Sequence, residues 1–320
     1  MDQGAFPVIY SGSSAAAPLG AANFVGRELG DRPALFLLFF TWASHGRLAV
    51  DRSVKALSVY RQRRPHHRFV FLCNAERERA AHEAAGLAAV LCNHNAFVDE
   101  EVFAPGDATI RYDAVHNAAM VDWKRHHLSG LVNSCLQITY DKKDVPHEVT
   151  MARFAALRAA MPSHDFVNEI VDGNIALLRS REVVALLRQA RVGLCLSAVE
   201  GAMFASMEYL LTGLPVVSTP STGGRDEFAD PEYWLTVDVN AEAVSAGVAE
   251  MIRRNLPREH IRARALGRVY QHRSRLRDVV AQHTDGKVDL PANLGDQAYR
   301  FITDIVPWPK VADLQRQLQL

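Results

Sequence analysis

Two glutamates, Glu200 and Glu208, lie within the apolar segment Ser197-Ala-Val-Glu-Gly-Ala-Met-Phe-Ala-Ser-Met-Glu-Tyr-Leu-Leu-Thr-Gly-Leu-Pro-Val-Val-Ser-Thr219. Most glutamates are solvated on surface helices. Here Glu200 interrupts an apolar stretch, and Glu208 sits within residues 204–211, otherwise nearly all apolar. Carboxylates so placed need partners, and such acids cluster at functional sites. A shift of eight positions turns an α-helix by about 800°, roughly 80° past two full turns, so both could address one ligand from neighbouring directions. Apolar runs at 192–196 and 215–217 flank the motif and read as buried parallel strands on either side of one helix. That is a βαβ unit with an acidic site at the carboxyl end of its first strand, where open α/β sheets bind ligands.

At 320 residues the chain is long for one core and comfortable for two domains. Lys plus Arg and Asp plus Glu balance at 36 each, so no general field draws the protein toward nucleic acid or an anionic membrane. A neutral total can still hide one basic face, which leaves peripheral membrane association open. Cys73, Cys92, Cys135 and Cys195 stand singly at strand-like positions. This argues against zinc or a disulfide framework and for reduced thiols in the cytoplasm. No charged-then-apolar leader pattern opens the sequence, and the longest apolar run, 34–41, is a strand too short to span a bilayer.

Strand and helix signals alternate, as in an α/β protein with parallel sheets. Strands are expected at 7–10, 34–41, 68–73 and 88–92, with helices at 49–63 and 76–85. The polar, irregular stretch 93–106 ends in Pro-Gly and reads as a connection between domains. Strands then follow at 109–116, 134–140, 165–170, 192–196, 215–217 and 233–237. Helices are expected from about Val121, at 150–161, 180–190, 241–254, 260–282 and 296–305, besides the one that follows Glu200.

Three segments together resemble the retaining glycosyltransferases of family 4 (group 1). Glu200 to Glu208, with Gly213, Pro215 and Val217, resembles that family's two-glutamate donor motif and its E-A-x-x-x-G-x-P-V-V continuation. Asp99-Glu-Glu-Val-Phe103-Ala-Pro105 resembles its interdomain N-G-V-D-x-x-x-F-x-P segment, although Asn95 is one residue too far from Asp99. Residues 117–125 resemble its basic phosphate-gripping segment. The turn after Glu200 reads Gly-Ala-Met where the family commonly has Gly-Phe-Gly. The nearest substitute for the family's glycine-rich first loop is Ser11-Gly-Ser-Ser14.

The resemblance implies a GT-B fold, two Rossmann-like domains facing a cleft, with a reduced N-terminal domain. The expected boundaries are an acceptor domain at 1–95, a linker at 96–106, a nucleotide-sugar donor domain at 107–295, and a final segment 296–320 whose helix crosses back. The implied activity is transfer of a sugar from a nucleotide-diphosphate sugar to a glycan, lipid or other acceptor. Such a protein would work in the cytoplasm, at or near the inner face of the membrane, in polysaccharide assembly.

Glu200 would bind hydroxyls of the donor sugar and Glu208 the ribose hydroxyls, since carboxylates accept paired O–H donors. Lys124 and Arg125 could hold the diphosphate and the charge that grows on it. They fit a solvated basic face as well, because His126 and His127 follow. Gly201, Ala202, Met203 and Phe204 would open the helix and aim amides at sugar or phosphate. Asn117 joins the donor site, and Gly223-Gly224 would allow close backbone approach. Asp172-Gly173 fits the edge of a base pocket and fits a plain turn equally. His45 is a candidate near the reacting carbon, though a lone histidine is more often structural. No metal and no cofactor beyond the co-substrate is expected, because no Asp-x-Asp is present in Asp226-Glu227 or Asp99-Glu-Glu101. The alternatives are a catalytically silent nucleotide-sugar binding or scaffold protein and a sugar-nucleotide epimerase on the same fold.

Overall fold

The computed structural model describes residues 6–14, 16–142 and 145–290. The chain divides into two compact units: described residues up to Phe97 with those from Val269 onward, and Val98–Arg268.

The first unit alternates β1 (Val8–Ser13), α1 (Ala22–Leu29), β2 (Ala34–Phe40), α2 (Arg47–Arg63), β3 (His67–Cys73), α3 (Glu76–Ala84) and β4 (Ala89–Leu91). The strands pair in parallel in the order β1-β2-β3-β4. Every residue of β2 is buried, because apolar layers cover both faces of the sheet. On one face Phe36, Leu38, Phe69 and Phe71 pack with Leu29, Leu57 and Tyr60 of the helices. On the other, Leu35, Leu37, Val70 and Leu72 meet Leu276 and Val280. Each large apolar side chain buried this way contributes about 1.5–3 kcal/mol.

The second unit contains β5 (Tyr112–Ala119), β6 (Cys135–Tyr140), α4 (His147–Ala160), β7 (His164–Phe166), β8 (Ile170–Val171), β9 (Asn174–Ile175) and α5 (Ser180–Leu187). It continues through β10 (Ala190–Cys195), α6 (Phe204–Leu211), β11 (Val216–Ser218), β12 (Trp234–Thr236) and α7 (Ala241–Arg254). A parallel sheet runs β12-β11-β10-β5-β6-β7, and β8-β9 is a separate hairpin.

The last helix, α8 (Arg258–His283), belongs to the second unit up to Arg268 and to the first from Val269. In its first part Arg262 donates to the Glu100 and Phe103 carbonyls at 2.7 and 2.6 Å. In its later part Arg273 Nε donates to the Ala96 carbonyl at 2.8 Å, and Leu276 and Val280 enter the first unit's core. The donor domain expected to run to residue 295 therefore gives up its compact contacts at Arg268. The helix expected at 296–305, and the crossing assigned to 296–320, lie outside the described residues.

Several expected elements differ locally. The segment Ser11-Gly-Ser-Ser14 is not a free loop, because β1 extends to Ser13 and pairs Ser11 with Leu38. Helix α1 had no sequence signal strong enough to expect, being eight residues without a side-chain cap. The strand expected at 165–170 stops at Phe166. No regular helix follows Val121; two 3₁₀ turns, Asp122–Lys124 and His126–Ser129, flank Arg125 at φ 53°. A left-handed residue breaks the helical hydrogen-bond ladder. Among the described residues, no helix is long and apolar enough to cross a membrane.

One buried carboxylate organises the carboxyl edge of the first sheet. Glu78 Oε1 accepts the Ser44 N–H at 2.9 Å and its Oε2 accepts the Asn74 N–H at 2.8 Å. Asn74 in turn donates to the Phe40 carbonyl at 2.8 Å and accepts the His94 N–H at 3.1 Å. The loop carrying His45 is thus tied down from its neighbour. Glu78→Ala is expected to cost about 2–4 kcal/mol, from two lost charge-assisted hydrogen bonds, and to speed amide exchange at Ser44 and Asn74. Wild-type exchange rates at both amides would refute this role.

Candidate functional site

In the second unit β5, β6 and β7 are laid down in one direction, and β10, β11 and β12 in the other. The order reverses between β5 and β10, and open α/β sheets bind ligands in the crevice beyond the strand ends at such a point. The expected site residues Lys124 and Glu200 follow β5 and β10 respectively.

These two residues meet. Lys124 Nζ donates to Glu200 Oε1 in an ion pair, with the residues only 7% and 6% exposed. The Ala198 N–H donates to the Trp123 carbonyl at 2.8 Å, so backbone also joins the two strand ends. His116 and His126 lie with ring centroids 4.6 Å apart. Burial lowers the pKa of both, and their mutual repulsion with that of Lys124 lowers His116 further. Both imidazoles are therefore neutral at neutral pH, which concentrates the cationic charge on Lys124 and Arg125. Arg125 is half-buried and reaches Thr219 Oγ1 at 3.5 Å.

A second pair lies beside the first. Asn117 Nδ2 donates to Glu208 Oε2 at 3.1 Å, and its backbone N–H donates to the Tyr209 hydroxyl at 2.6 Å. Part of Glu208 still reaches solvent, yet its carboxyl sits deep among neighbours. Burial pushes its pKa up to about 7 against the opposing pull of Asn117. Tyr140, at the end of β6, is pushed up to about 12 by burial and then by Glu200 and Glu208. One phenol that feels both carboxylates puts them in one neighbourhood.

The route to this proximity differs from the expected one. Helix α6 starts at Phe204, so Glu200 is not on it and the eight-residue rotation does not relate the acids. Gly201, Ala202 and Met203 are buried in an irregular turn, while Phe204 opens the helix and is exposed. Met203 has φ 61°, a conformation uncommon for a bulky side chain. It stands at the third position of the Gly-Ala-Met turn, where glycine would sit without strain.

Gly223 and Gly224 serve this same turn. A Cβ on Gly223 would lie 1.5 Å from the Glu200 carbonyl oxygen, and Gly223 has φ 110°. The Gly224 N–H donates to the Gly201 carbonyl at 2.6 Å. Both glycines thus pack against the backbone of the Glu200 turn. Asp172 and Gly173, with φ 50° and 79°, form the exposed tip of the β8-β9 hairpin, whose two-residue turn demands such angles. His45 belongs to the first unit, between β2 and α2, and its buried Nδ1 has no hydrogen-bond partner among the described residues.

Sequence reading passed over Arg225 and Tyr140. Arg225 is fully buried and donates to the Cys195, Ser197 and Thr219 carbonyls at 2.9, 2.8 and 2.5 Å. It also donates to Ser218 Oγ at 2.6 Å and pairs with Asp226 Oδ1 at 2.6 Å. An arginine following two glycines looks like loop chemistry, so only its destination reveals the role.

No known sequence family matches the chain, and no curated protein matches it. Solved structures do. A glycosyltransferase from Rickettsia africae superposes with a TM-score of 0.59 at 14% identity, over 87% of this chain and 77% of that one. HepE from Anabaena, solved with UDP-glucose, gives 0.57 at 12% identity, over 93% of this chain and 79% of that one. TarM gives 0.57 at 12% identity, over 86% of this chain and 54% of its own. The protein has the GT-B fold. Its first sheet is the smaller of the two, with four strands against six.

The Glu208 shift has a measurable consequence. Its carboxyl holds a proton up to about pH 7 in the folded protein but has an ordinary value of 4.5 when unfolded. Between those values folding takes up a proton, so this contribution is fully present at low pH and is lost as pH rises toward 7. Glu208→Gln should flatten that part of the stability profile, read by urea unfolding at stepped pH. Parallel profiles for the two proteins would contradict the assignment.

Proposed function

We propose that the protein is a retaining, metal-independent glycosyltransferase resembling family 4, transferring a sugar from a nucleoside diphosphate to a glycan, lipid or other acceptor. The observation that carries this reading is the convergence of Lys124–Glu200 and Asn117–Glu208 at the point where the strand order reverses. HepE was solved with UDP and with UDP-glucose, which makes a uridine nucleotide the first donor to try.

In this reading the Lys124 ammonium, paired with Glu200 in the free protein, turns to the donor diphosphate when it arrives. Arg125 adds a planar guanidinium suited to phosphate oxygens. Glu200, released from Lys124, accepts hydroxyls of the sugar, and Glu208 with Asn117 holds the ribose. The bond between C1 of the sugar and the diphosphate oxygen breaks while the acceptor oxygen bonds to C1 on the same face. The acceptor proton passes to a phosphate oxygen. Lys124 and Arg125 stabilise the charge that develops on the leaving group, the kind of electrostatic effect that dominates catalysis. Gly201 to Phe204, Gly223 and Gly224 shape the turn that carries Glu200. His45 is assigned to the acceptor side and Asp172-Gly173 to the rim of the base site. The proposed setting is cytoplasmic, at or near the inner face of the membrane.

The two glutamates should separate experimentally. Assayed above pH 7, where the Glu208 carboxyl is ionised, Glu208→Ala is expected to weaken nucleoside diphosphate and intact donor alike, by roughly ten- to a hundredfold for one lost charge-assisted hydrogen bond of about 1.5–3 kcal/mol. Glu200→Gln should leave nucleoside diphosphate binding unchanged or tighter, because it frees the Lys124 charge, while donor turnover falls. Equal losses of nucleoside diphosphate affinity in two folded variants, measured by calorimetry, would reverse these roles.

Turnover should persist in EDTA, since two cationic side chains stand in for a divalent ion on the diphosphate. Activity abolished by the chelator and restored by magnesium or manganese would defeat the metal-independent mechanism.

A further inference from the structure

The first unit contains a cavity of about 750 Å³ between α1 and α2, within the roughly 300–1,000 Å³ usual for small-ligand sites. Five cationic side chains line it: Arg27, Arg52, Lys55, Arg63 and Arg64. None of its lining residues carries a carboxylate. In a chain with 36 basic and 36 acidic residues, this is a local concentration of positive charge. Arg52, Lys55 and Arg63 fall on one stripe of α2, spaced by three and eight positions, and face Arg27 across the groove from α1. Arg27, Lys55 and Arg63 have no carboxylate within ion-pair distance among the described residues.

The cavity also has an apolar wall. Leu19, Ala56, Val59 and Tyr60 contribute to its lining. Tyr60 is held rigidly, with its hydroxyl 2.7 Å from His67 Nδ1 and 3.3 Å from the Ala22 carbonyl. Arg64 is likewise fixed, its Nε donating to the Gly26 carbonyl at 3.1 Å. Guanidinium groups match phosphate oxygens with paired N–H donors. A concave site with clustered cations and an apolar part of its wall suits a phosphate group attached to a less polar body.

We propose that the groove between α1 and α2 is a binding site for a phosphate ester, distinct from Lys124 and Glu200, which belong to the other unit. The same chemistry is offered by a soluble phosphomonoester and by the headgroup of an anionic phospholipid. The proposal stands without the glycosyltransferase reading.

Two probes distinguish the sources in the full chain at physiological salt. One is glycerol 3-phosphate, followed by calorimetry. The other is co-sedimentation with phosphatidylcholine vesicles, with and without phosphatidylglycerol. Saturable binding of glycerol 3-phosphate assigns a soluble ligand, and binding only to the anionic vesicles assigns a lipid headgroup. In either case the triple variant Arg52→Glu, Lys55→Glu, Arg63→Glu should lose about tenfold or more in affinity, and the corresponding triple alanine variant should lose affinity in the same direction. A control that reverses exposed Arg158, Arg181 and Arg191 in the other unit should bind as wild type. Thermal unfolding verifies that each variant is folded. Failure of the wild type to bind either probe, undiminished binding by the folded groove variants, or an equal loss in the control would overturn the proposal.

Discussion

The Arg225 guanidinium fixes the ground on which the second unit's site is built. At the carboxyl ends of two neighbouring parallel strands, carbonyls point past the sheet and lose their ladder partners. Arg225 inserts there and serves Cys195 and Ser197 on one side and Ser218 and Thr219 on the other. Buried acceptors left unmade cost about 1–3 kcal/mol each, so the arginine sets where both chains emerge. Asp226 supplies the counter-charge, its Oδ1 2.6 Å from Arg225 Nε. From this clamp the Glu200 turn and the 219–224 loop leave together and pair backbone to backbone, with Val199 opposite Thr222.

On that base, charge is distributed by burial. Lys124 and Glu200 would each be costly alone in the interior, and breaking such a pair is strongly destabilising. Paired, they leave a site with a cation and an anion ready to exchange partners. Burial keeps His116 and His126 neutral nearby on β5 and the turn after it. Glu208 has no ion-pair partner among the described residues, and burial raises its pKa against the pull of Asn117. Two acids on one short segment thus have different electrostatic characters because one has a lysine and the other an amide.

The first unit solves the same problem of strand-end polarity with different residues. Glu78 and Asn74 satisfy the loops after β2 and β3, as Arg225 does for β10 and β11. Its sheet is closed on the second face by the later part of α8, so a short domain acquires a two-sided core from a helix distant in sequence. That arrangement explains how four strands and three short-range helices suffice. The basic groove lies between α1 and α2 of this unit.

The alternation of apolar strands with amphipathic helices was legible in the sequence, because burial on both faces of a parallel sheet demands continuous apolar runs such as 34–40 and 192–196. So was the acidic βαβ unit, since Glu200 and Glu208 stand out against apolar neighbours. Which groups touch was not legible. Lys124 and Glu200 are 76 positions apart and Asn117 and Glu208 are 91, and no local periodicity encodes contacts at that separation. The left-handed residues Arg125 and Met203 broke the expected helix starts, because the backbone there follows tertiary contacts instead of helical propensity. Gly223 makes room for the Glu200 carbonyl, a close approach that spacing along the chain does not announce. Sequence determined the types of element and the residues worth watching. Tertiary structure decided their partners, because burial and strand order, not spacing along the chain, determine which charges share a crevice.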